Sequence, residues 1–376
     1  MSNEKKLLVI SDTGVFKTNS GFNAFGPVVK ELEHLLEVFD EITWIGFNKK
    51  NQSQNKSFIN VNGKRIHIIA LTEVGGKSFI SKLNIIFHYP IMFVVILREI
   101  IKHKYIHTRA PSNPAVIAMF LSYFFSNKTF WHKYAGSWID KASYFYEQQR
   151  LFLKKLNKNS LITINGNYEM NNQQFFSFEN PCLDLNDRVF GNEIVSKKVI
   201  KGKINFCFVG ALNEHKGVRK IIESFTKIDS EKIGVLHFVG DGEDKEVYLK
   251  LSEKIKYEVI FHGFLAKDKI KDVYSKTHFI LLPSKSEGFP KVIGEAMNYG
   301  CIPIVSDVSC IDQYIKDGEN GFLLKYPTTE LLIESIKKAI VLDKKLHKKW
   351  IEYNYSLAQK FTYNYYNSRI KTEIFK

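Results

Sequence analysis

The C-terminal half of the chain alternates between short apolar runs and longer amphipathic segments, and this alternation limits its fold more than any other feature. The apolar runs occupy residues 204–209, 235–239, 259–264, 279–282, 302–305 and 322–324. Because these runs are apolar at most positions, a strand formed by each must be covered on both faces. The helix-like segments between them can provide that cover. The pattern therefore predicts a parallel sheet flanked by helices, which is an α/β fold.

The N-terminal half repeats this pattern less regularly. Its strand-like runs lie at residues 7–10, 42–45, 66–69, 105–108, 129–133 and 161–164. We therefore expect two Rossmann-like, doubly wound domains, at residues 1–190 and 200–355. The polar segment 180–203 is expected to link them. Residues 356–376 are expected to form a C-terminal helix that packs back on the first domain.

A chain of 376 residues is long enough for two domains of ordinary size. In open α/β sheets, ligands bind outside the carboxyl ends of the strands. Two such sheets facing each other across a cleft would hold one substrate on each side. We therefore expect a two-substrate site with each domain contributing one half.

The chain carries a formal net charge of +15 at pH 7, so its surface should attract polyanions. Nucleotide phosphates, an anionic membrane face and nucleic acid are the candidates, and a lysine-rich surface without a binding role is an open alternative. No helix-turn-helix, zinc-finger or RNP-like pattern accompanies the charge, which argues against nucleic acid. The four cysteines lack metal-ligand spacing and fit a reducing compartment.

The longest uncharged run, residues 83–97, is too short for a transmembrane helix, which needs about 20 apolar residues. Two interpretations stay open. The run forms a buried core helix broken near Pro90, or it forms an interfacial helix that rests on a membrane beside the basic segment 98–104. Residues 1–6 lead directly into a strand-like run rather than a signal peptide. We therefore expect a cytoplasmic protein, and the second interpretation adds peripheral contact with the inner face of the cell membrane.

The segment 283–305 predicts a strand, a loop, a helix and a second strand, and it carries two carboxylates. Glu287 falls in the loop, and Glu295 falls inside the helix beside its apolar face. A partly buried carboxylate needs hydrogen-bond donors, and sugar or ribose hydroxyls are suitable. The unpaired N–H groups of the first helical turn would face an anion such as a diphosphate. Taken singly, Glu295 could equally pair with a lysine, and Glu287 could be an exposed loop charge.

Glu287 and Glu295, separated by seven residues within Ser-Glu-Gly-Phe-Pro…Glu-Ala-Met…Gly-x-Pro, resemble the E-x7-E motif of retaining glycosyltransferases of family 4. Three upstream segments resemble the same family in the same order. They are residues 208–217 with Lys-Gly, 238–242 with Gly-Asp-Gly, and 261–265. The resemblance covers roughly a third of the chain. It implies the GT-B fold, in which two Rossmann-like domains face a cleft.

The resemblance also implies roles for individual residues. Lys216 would neutralise the donor diphosphate as the sugar leaves, Glu287 would hold hydroxyls of the transferred sugar, and Glu295 would hold the ribose. Further donor-binding positions are Gly288, Phe289, Pro290, Lys291, Val292, Gly210 and Gly263. The chain departs from the family at Ala211, where many members carry a second phosphate-binding cation. Arg219 or a neighbouring lysine is the candidate substitute.

In the N-terminal half the resemblance is thinner. The loop expected at residues 14–26 corresponds to the family's glycine loop, but only Gly21 stands near its usual Gly-Gly pair; a glycine there would let backbone approach a phosphate. His132, expected at a strand end, corresponds to a histidine that faces the donor sugar in relatives. A core histidine bonded to backbone is the alternative. Arg109, also at a strand end, is a candidate for binding an anionic acceptor.

The implied function is transfer of a sugar from a nucleotide-diphosphate sugar to a hydroxyl, with retention at the anomeric carbon. The basic charge and the aromatic N-terminal half favour a growing surface glycan on a lipid carrier as the acceptor. No D-x-D motif is present, so we expect neither a metal nor another cofactor. Two alternatives remain. One is a sugar-nucleotide epimerase of the same fold, which needs no acceptor, and the other is a non-catalytic sugar-nucleotide binder, which Ala211 and the missing Gly-Gly pair favour.

Overall fold

The structure is a computed structural model that describes residues 4–19, 21–49, 57–61, 65–74, 79–169 and 172–375, without the side chains of 79–86. The chain divides into two compact units. The first unit comprises Met1–Phe178 together with Asn367–Lys376, and the second comprises Glu179–Tyr366. Residues 1–3, which belong to the expected lead into the first strand, lie outside the described residues.

Strands and helices alternate along both units. The strands of the first unit are β1 (Lys6–Thr18), β2 (Gly21–Phe25), β3 (Glu41–Asn48), β4 (Phe58–Asn60), β5 (Ile66–Thr72), β6 (Tyr105–Ala110), β7 (Thr129–Tyr134), β8 (Ser160–Ile164) and β9 (Phe175–Ser177). Its helices are α1 (Gly26–Leu35), α2 (Phe79–Lys102), α3 (Asn113–Leu121) and α4 (Tyr144–Lys154).

The second unit follows the same scheme. Its strands are β10 (Ile204–Val209), β11 (Ile233–Val239), β12 (Val259–Phe261), β13 (Phe279–Leu282), β14 (Ile302–Ser306) and β15 (Phe322–Leu324). Its helices are α5 (Leu185–Lys197), α6 (Val218–Lys227), α7 (Lys245–Ser252), α8 (Lys267–Lys276), α9 (Lys291–Asn298), α10 (Thr329–Ala339) and α11 (Lys344–Leu357). A last helix, α12 (Tyr363–Arg369), begins in the second unit and ends in the first.

The sheet of the second unit is parallel and has the strand order β12-β11-β10-β13-β14-β15. The chain winds from β10 outwards to β12, then returns to β13 and continues in the opposite direction. The strands β10 and β13 are therefore neighbours although two strands separate them in sequence. Their carboxyl ends form the switch point, the place where the winding direction reverses and where ligands bind in doubly wound folds.

Helix α6 holds the loop after β10 in position. It packs through the buried residues Val218, Ile221, Ile222 and Phe225, whose spacing of three and four places them on one side of a helix. The ring of Phe225 meets that of Phe206 in β10 edge-on, with centroids 5.2 Å apart. The start of α6 is thereby fixed beside the strand that leads to it.

The sheet of the first unit contains the parallel order β5-β3-β1-β6-β7-β8-β9, with the same reversal next to its first strand. The structure corrects the loop expected at residues 14–26. Strand β1 continues to Thr18 and forms an antiparallel hairpin with β2, so that Gly21 begins a hairpin strand. The sequence hid this continuation because the strand register shifts between Ile10 and Gly14, where the exposed Asp12 interrupts the apolar run.

The expected linker, residues 180–203, is also corrected. Its central part forms helix α5, which is capped by reciprocal hydrogen bonds between Asp184 and Asp187. Arg188 donates to Asn298 Oδ1 at 2.7 Å and thereby ties α5 to the end of α9. The segment is polar because a single side of the helix packs, while the opposite side faces solvent.

Helix α2 runs through Pro90 without a break, contrary to the broken helix expected there. Proline removes one N–H donor from the helix. The next turns are nevertheless held by Met92, Ile96 and Ile100, which are buried in the core of the first unit. Of the run 83–97, the described side chains are those from Phe87 onward.

The end of the chain packs within the first unit. Asn367 donates to the carbonyl of His34 at 2.7 Å. The ring of Phe375 lies 5.2 Å from that of Phe39 and 5.3 Å from that of Tyr105. Residues 367–375 therefore complete the core of the first unit.

Candidate functional site

The two neighbouring strands at the switch point of the second unit each lead into a loop with a charged residue. Lys216 lies between β10 and α6, and Glu287 lies between β13 and α9. Lys216 Nζ is 2.5 Å from Glu287 Oε1, so a charge-assisted hydrogen bond joins them. The lysine side chain is 25% exposed and the glutamate side chain 9% exposed. Solvent therefore reaches this pair mainly through the lysine.

Backbone contacts also hold these two loops together. The N–H of Lys285 donates to the carbonyl of His215 at 2.9 Å, and His215 Nε2 lies 3.0 Å from the carbonyl oxygen of Ser286. Gly217 has a φ of +78°, and a Cβ atom there would lie 2.3 Å from the carbonyl oxygen of Pro283. Glycine alone allows both this backbone and this close approach. The Lys-Gly pattern is therefore explained by the contact between the loops.

Glu295 lies on α9 and is partly exposed. The hydroxyl of Tyr274 donates to Glu295 Oε2 at 3.4 Å. Burial raises the pKa of Glu295, and the positive charges of Lys267 and Lys291 oppose that rise. A carboxylate in this setting would gain from further hydrogen-bond donors such as the two hydroxyls of a ribose.

The surroundings of Glu295 contain two residues that the sequence analysis missed, Tyr274 and Lys267. Lys267, the first residue of α8, forms an ion pair with Asp187 of α5. The other carboxylate oxygen of Asp187 accepts a hydrogen bond from Tyr299 at 2.8 Å. These side chains come from separate elements, so no local motif marks them. Both residues lie in the helix-like segment between the apolar runs 259–264 and 279–282, and nothing in that segment distinguishes them from its other residues.

The start of α9 lies beside the Lys216–Glu287 pair. Pro290 is the N-cap residue, Lys291 begins the helix, and no side chain caps the first turn. Phe289 is buried and stacks on Phe361, with ring centroids 4.7 Å apart. Gly288 is partly exposed. A firmly anchored helix start with uncapped N–H groups is suited to bind an anion.

Val292, in the first turn, serves the packing of α9. Its backbone carbonyl lies 3.5 Å from the Tyr274 hydroxyl, and its partly buried side chain packs against the core of the second unit. Of the predicted donor-binding residues in this segment, Gly288 has a partly exposed backbone that a ligand can reach. The side chains of Phe289 and Val292 pack against the protein and hold the segment in place.

Gly210 and Gly263 lie in the turns that follow β10 and β12. A third turn, at Gly240, touches both. The N–H of Gly240 donates to the carbonyl of Gly263 at 2.8 Å, and a Cβ atom on Gly240 would lie 1.8 Å from the carbonyl oxygen of Gly210. The carboxyl ends of β10, β11 and β12 are thereby in direct backbone contact, with no room for a side chain at Gly240.

The structure brings Lys216, and not Arg219, to Glu287. Ala211 is exposed and carries no charge. Arg219 forms an ion pair with Glu214, and its guanidinium also lies near Tyr248, on the side of α7. Arg219 is therefore held in a different ion pair, and its role as the second phosphate-binding cation stays a prediction, as does that of a neighbouring lysine. Within the described residues, no group of three or more His, Cys, Asp or Glu side chains is arranged to hold a metal ion.

His132 was predicted to face a donor sugar, but its side chain lies in the protein core. The residue lies inside β7 and is fully buried. Its Nδ1 is 2.8 Å from Thr108 Oγ1, its Nε2 is 3.4 Å from Ser160 Oγ, and burial lowers its pKa to about 3. This geometry favours the alternative, a core histidine, with hydroxyl groups in place of backbone as its partners.

Arg109, the candidate for binding an anionic acceptor, forms an ion pair within the protein. Its Nη1 lies 2.7 Å from Glu31 Oε1, and Lys133 Nζ lies 2.8 Å from the same oxygen. An acceptor anion would have to compete with Glu31 for the guanidinium. Gly21 has a φ of +133° at the hairpin between β1 and β2, and open space surrounds the position of its absent Cβ. It does not precede a helix as a phosphate-binding glycine loop would.

Residues 191–357 match the family model of glycosyl transferases group 1. A lipopolysaccharide 1,6-galactosyltransferase of Salmonella typhimurium is 35% identical over 129 residues, which are 31% of this chain and 34% of that protein. A glycogen synthase of Aquifex aeolicus is 31% identical over 143 residues, which are 36% of this chain and 29% of that protein. The chain spans less than half the length of these curated relatives. The residues that match the family model all lie within the second unit.

The whole chain is similar in fold to Anabaena Alr3699/HepE, solved in complex with UDP and glucose. The TM-score is 0.67 at 16% identity, over 98% of this chain and 99% of that chain. The predicted α/β fold of the GT-B class is thereby confirmed.

Proposed function

We propose that this chain, whose second unit matches the family model of glycosyl transferases group 1, is a retaining glycosyltransferase that moves a sugar from a nucleotide-diphosphate sugar to a hydroxyl group. The observation that carries the proposal is the contact between Lys216 and Glu287 at the switch point, beside the uncapped start of α9. The UDP and glucose bound to Alr3699/HepE support a nucleotide sugar as the donor.

The residues of the second unit then have distinct tasks. Lys216 leaves Glu287 and binds the diphosphate, whose negative charge grows as the bond to the sugar breaks. Glu287, released from the lysine, accepts hydrogen bonds from hydroxyls of the sugar. The first-turn N–H groups of α9 bind phosphate oxygens. Glu295 accepts hydrogen bonds from the ribose, at a position where Tyr274 already orients the carboxylate.

Retention at the anomeric carbon is proposed on the E-x7-E resemblance. The acceptor is proposed to be a hydroxyl of a growing surface glycan, carried on a lipid, at the inner face of the cell membrane. The similarity to a lipopolysaccharide galactosyltransferase supports this acceptor class. Because Lys216 and the helix start supply positive charge to the leaving group, the proposed reaction uses no metal ion.

The proposal is tested by incubating the chain with a panel of nucleotide-diphosphate sugars, with and without a lipid-linked glycan acceptor. Release of nucleoside diphosphate is measured, and the anomeric configuration of the product is read by NMR. We expect transfer with retention for one donor, insensitive to EDTA. Glu287→Gln should abolish transfer, and the exposed Glu243→Gln, in the same unit, should not.

Other outcomes would contradict the proposal in distinguishable ways. Conversion of the donor into an isomer without acceptor would indicate an epimerase. Thermal stabilisation by a nucleotide sugar without turnover on any acceptor would indicate a non-catalytic binder. Inversion at the anomeric carbon would retain the transferase and reject the family-4 mechanism.

A further inference from the structure

Helices α2, α3 and α4 cover the same face of the first unit's sheet, because each connects parallel strands by a right-handed crossover in the same direction. Helix α2 has an apolar stripe on its outer side. Phe87, Ile91, Val94 and Ile101 are 59–74% exposed, at spacings that keep them on one side of the helix. The opposite side of the helix is the one buried in the core. Helix α2 is therefore apolar on both its inner and its outer side.

Further exposed hydrophobic residues lie on α3, on α4 and in the segments next to them. Twelve of the 22 large hydrophobic residues that are exposed among the described residues lie between positions 87 and 151. Phe124, after α3, is 67% exposed, and Tyr144, at the start of α4, is 78% exposed. We call this surface of α2, α3 and α4 between residues 87 and 151 the three-helix face. Exposed apolar area concentrated in this way marks an interaction surface.

The three-helix face is held rigidly. The Tyr123 hydroxyl donates to the carbonyl of Lys155 at 2.8 Å, which joins the end of α3 to the end of α4. Arg150 of α4 donates to the carbonyls of Trp138 at 2.7 Å and Asp140 at 2.8 Å, which fixes the loop that precedes the helix. The exposed apolar groups therefore stand on an ordered framework.

Basic residues accompany the three-helix face. Residues 87–158 contain eleven lysines and arginines but three acidic residues, and two of the eleven, Arg109 and Lys133, belong instead to the buried cluster around Glu31. One of the acidic residues, Glu99, is bonded to Lys102 at 2.6 Å, which cancels its charge. Arg98, Lys155 and Lys158 are exposed at or near the C-terminal ends of α2 and α4, and no ion pair is found for them within the described residues. The face thus combines apolar side chains with uncompensated positive charge.

We propose that the three-helix face docks the chain on an anionic lipid bilayer. An apolar stripe flanked by lysine and arginine is complementary to a bilayer surface with acidic headgroups. Docking two copies through this face would bring their positive charges together, which disfavours self-association. Among the described helices, none is both long and apolar enough to cross a membrane. The inference rests on the proposed function only in naming the purpose, which is access to a lipid-linked acceptor.

The test is co-sedimentation of the full chain with vesicles of phosphatidylcholine, alone or mixed with phosphatidylglycerol, at low and high salt. We expect binding to the anionic vesicles, weakened by salt. The triple variant Arg98→Gln, Lys155→Gln, Lys158→Gln should lower partitioning about 100-fold at low salt. Its matched control, Lys337→Gln, Lys338→Gln, Lys344→Gln, removes three exposed charges from the second unit and should bind as the wild type does.

A second pair of variants tests the apolar part. Ile91→Gln with Val94→Gln should weaken binding about tenfold or more at both salt concentrations. The control Val341→Gln with Tyr353→Gln, at exposed positions of the second unit, should leave binding unchanged. Thermal unfolding checks that every variant is folded.

Three results would overturn the proposal. The first is that the chain stays in the supernatant with anionic vesicles at low salt. The second is that the variants and their controls lose vesicle binding equally. The third is that the chain self-associates without lipid and that Ile91→Gln with Val94→Gln abolishes this association. Release of nucleoside diphosphate in vesicle-free samples is measured in parallel. Failure to dock and failure to transfer sugar are therefore separate outcomes.

Discussion

Both units place charged residues at the carboxyl ends of their central strands, but the two clusters differ in burial. In the second unit, Lys216 and Glu287 form a pair that solvent reaches through the lysine. In the first unit, Glu31 bonds both Arg109 and Lys133, and its side chain is 1% exposed. The same topology therefore carries a pair with a quarter-exposed lysine in one unit and a more deeply buried triad in the other, where Lys133 is 4% and Arg109 15% exposed.

This difference indicates different roles. A buried carboxylate between two cations cannot exchange partners without a large desolvation cost, so the triad acts as a structural element. A partly exposed lysine can exchange its glutamate for a phosphate at a lower cost than opening the triad would require. Burial, rather than the presence of charges at a switch point, thus distinguishes a ligand site from a structural one.

The largest effect is expected for the buried triad of Glu31, Arg109 and Lys133. Glu31→Ala leaves Arg109 and Lys133 close together without their anion, so the free energy of unfolding should fall by about 3–5 kcal/mol. Chemical denaturation measures this loss. The control Glu33→Ala, on the same helix, removes an exposed partner of Lys30 and should cost under about 1 kcal/mol. Equal losses in the two variants would show that the triad is not a special structural element.

The next effect concerns the pair of Lys216 and Glu287. Lys216→Ala should lower the turnover of the proposed transfer by about 10²–10³-fold, because the lysine stabilises charge that develops in the transition state. Donor affinity should fall less than turnover. The melting temperature should stay near that of the wild type, in contrast to Glu31→Ala. Lys227→Ala, at the exposed end of α6, is the control. Wild-type turnover in Lys216→Ala would show that Lys216 does not stabilise the leaving diphosphate.

A smaller effect is expected at Glu295. Glu295→Gln should weaken nucleoside diphosphate about tenfold, the value of a lost charged hydrogen bond. Burial raises the pKa of this carboxyl, so it takes up a proton at a higher pH than an ordinary glutamate does. The affinity should therefore fall as the pH is lowered towards that raised pKa and stay constant above it. Calorimetric titration of both forms at several pH values tests this, since the glutamine variant should lack that part of the dependence. Identical pH profiles would exclude Glu295 as a ligand of the ribose.

The smallest effect has an unexpected sign. Because Lys216 is bonded to Glu287 before any donor binds, Glu287→Gln should free the lysine and strengthen the binding of free nucleoside diphosphate about threefold. The same variant should lose turnover, since the glutamine cannot accept sugar hydroxyls as a carboxylate does. Calorimetry with free nucleoside diphosphate measures the gain. A loss of affinity similar to that of Lys216→Ala would indicate that Glu287 itself contacts the nucleotide.

The sequence was most informative where a strand is continuously apolar. The bounds of β10, β13 and β15 are those that the apolar runs predict. It was less informative for β1, where a register shift beside Asp12 divides one strand into two apolar runs. The sequence also did not tell whether His132 faces a ligand or lies in the core. Both faces of a parallel strand are covered, so alternation does not tell whether a polar residue points to a ligand or into the core.

The sequence by itself determined the order of strands and helices from β10 onward and the spacing that sets Glu287 in a loop and Glu295 on the following helix. These features depend on neighbours within a few residues. The tertiary structure alone decided that Lys216 pairs with Glu287, which lies 71 residues away, and that Tyr274 bonds Glu295. The physical reason is strand order: the sheet makes β10 and β13 neighbours, and contacts between residues so distant along the chain exist only once the sheet has formed.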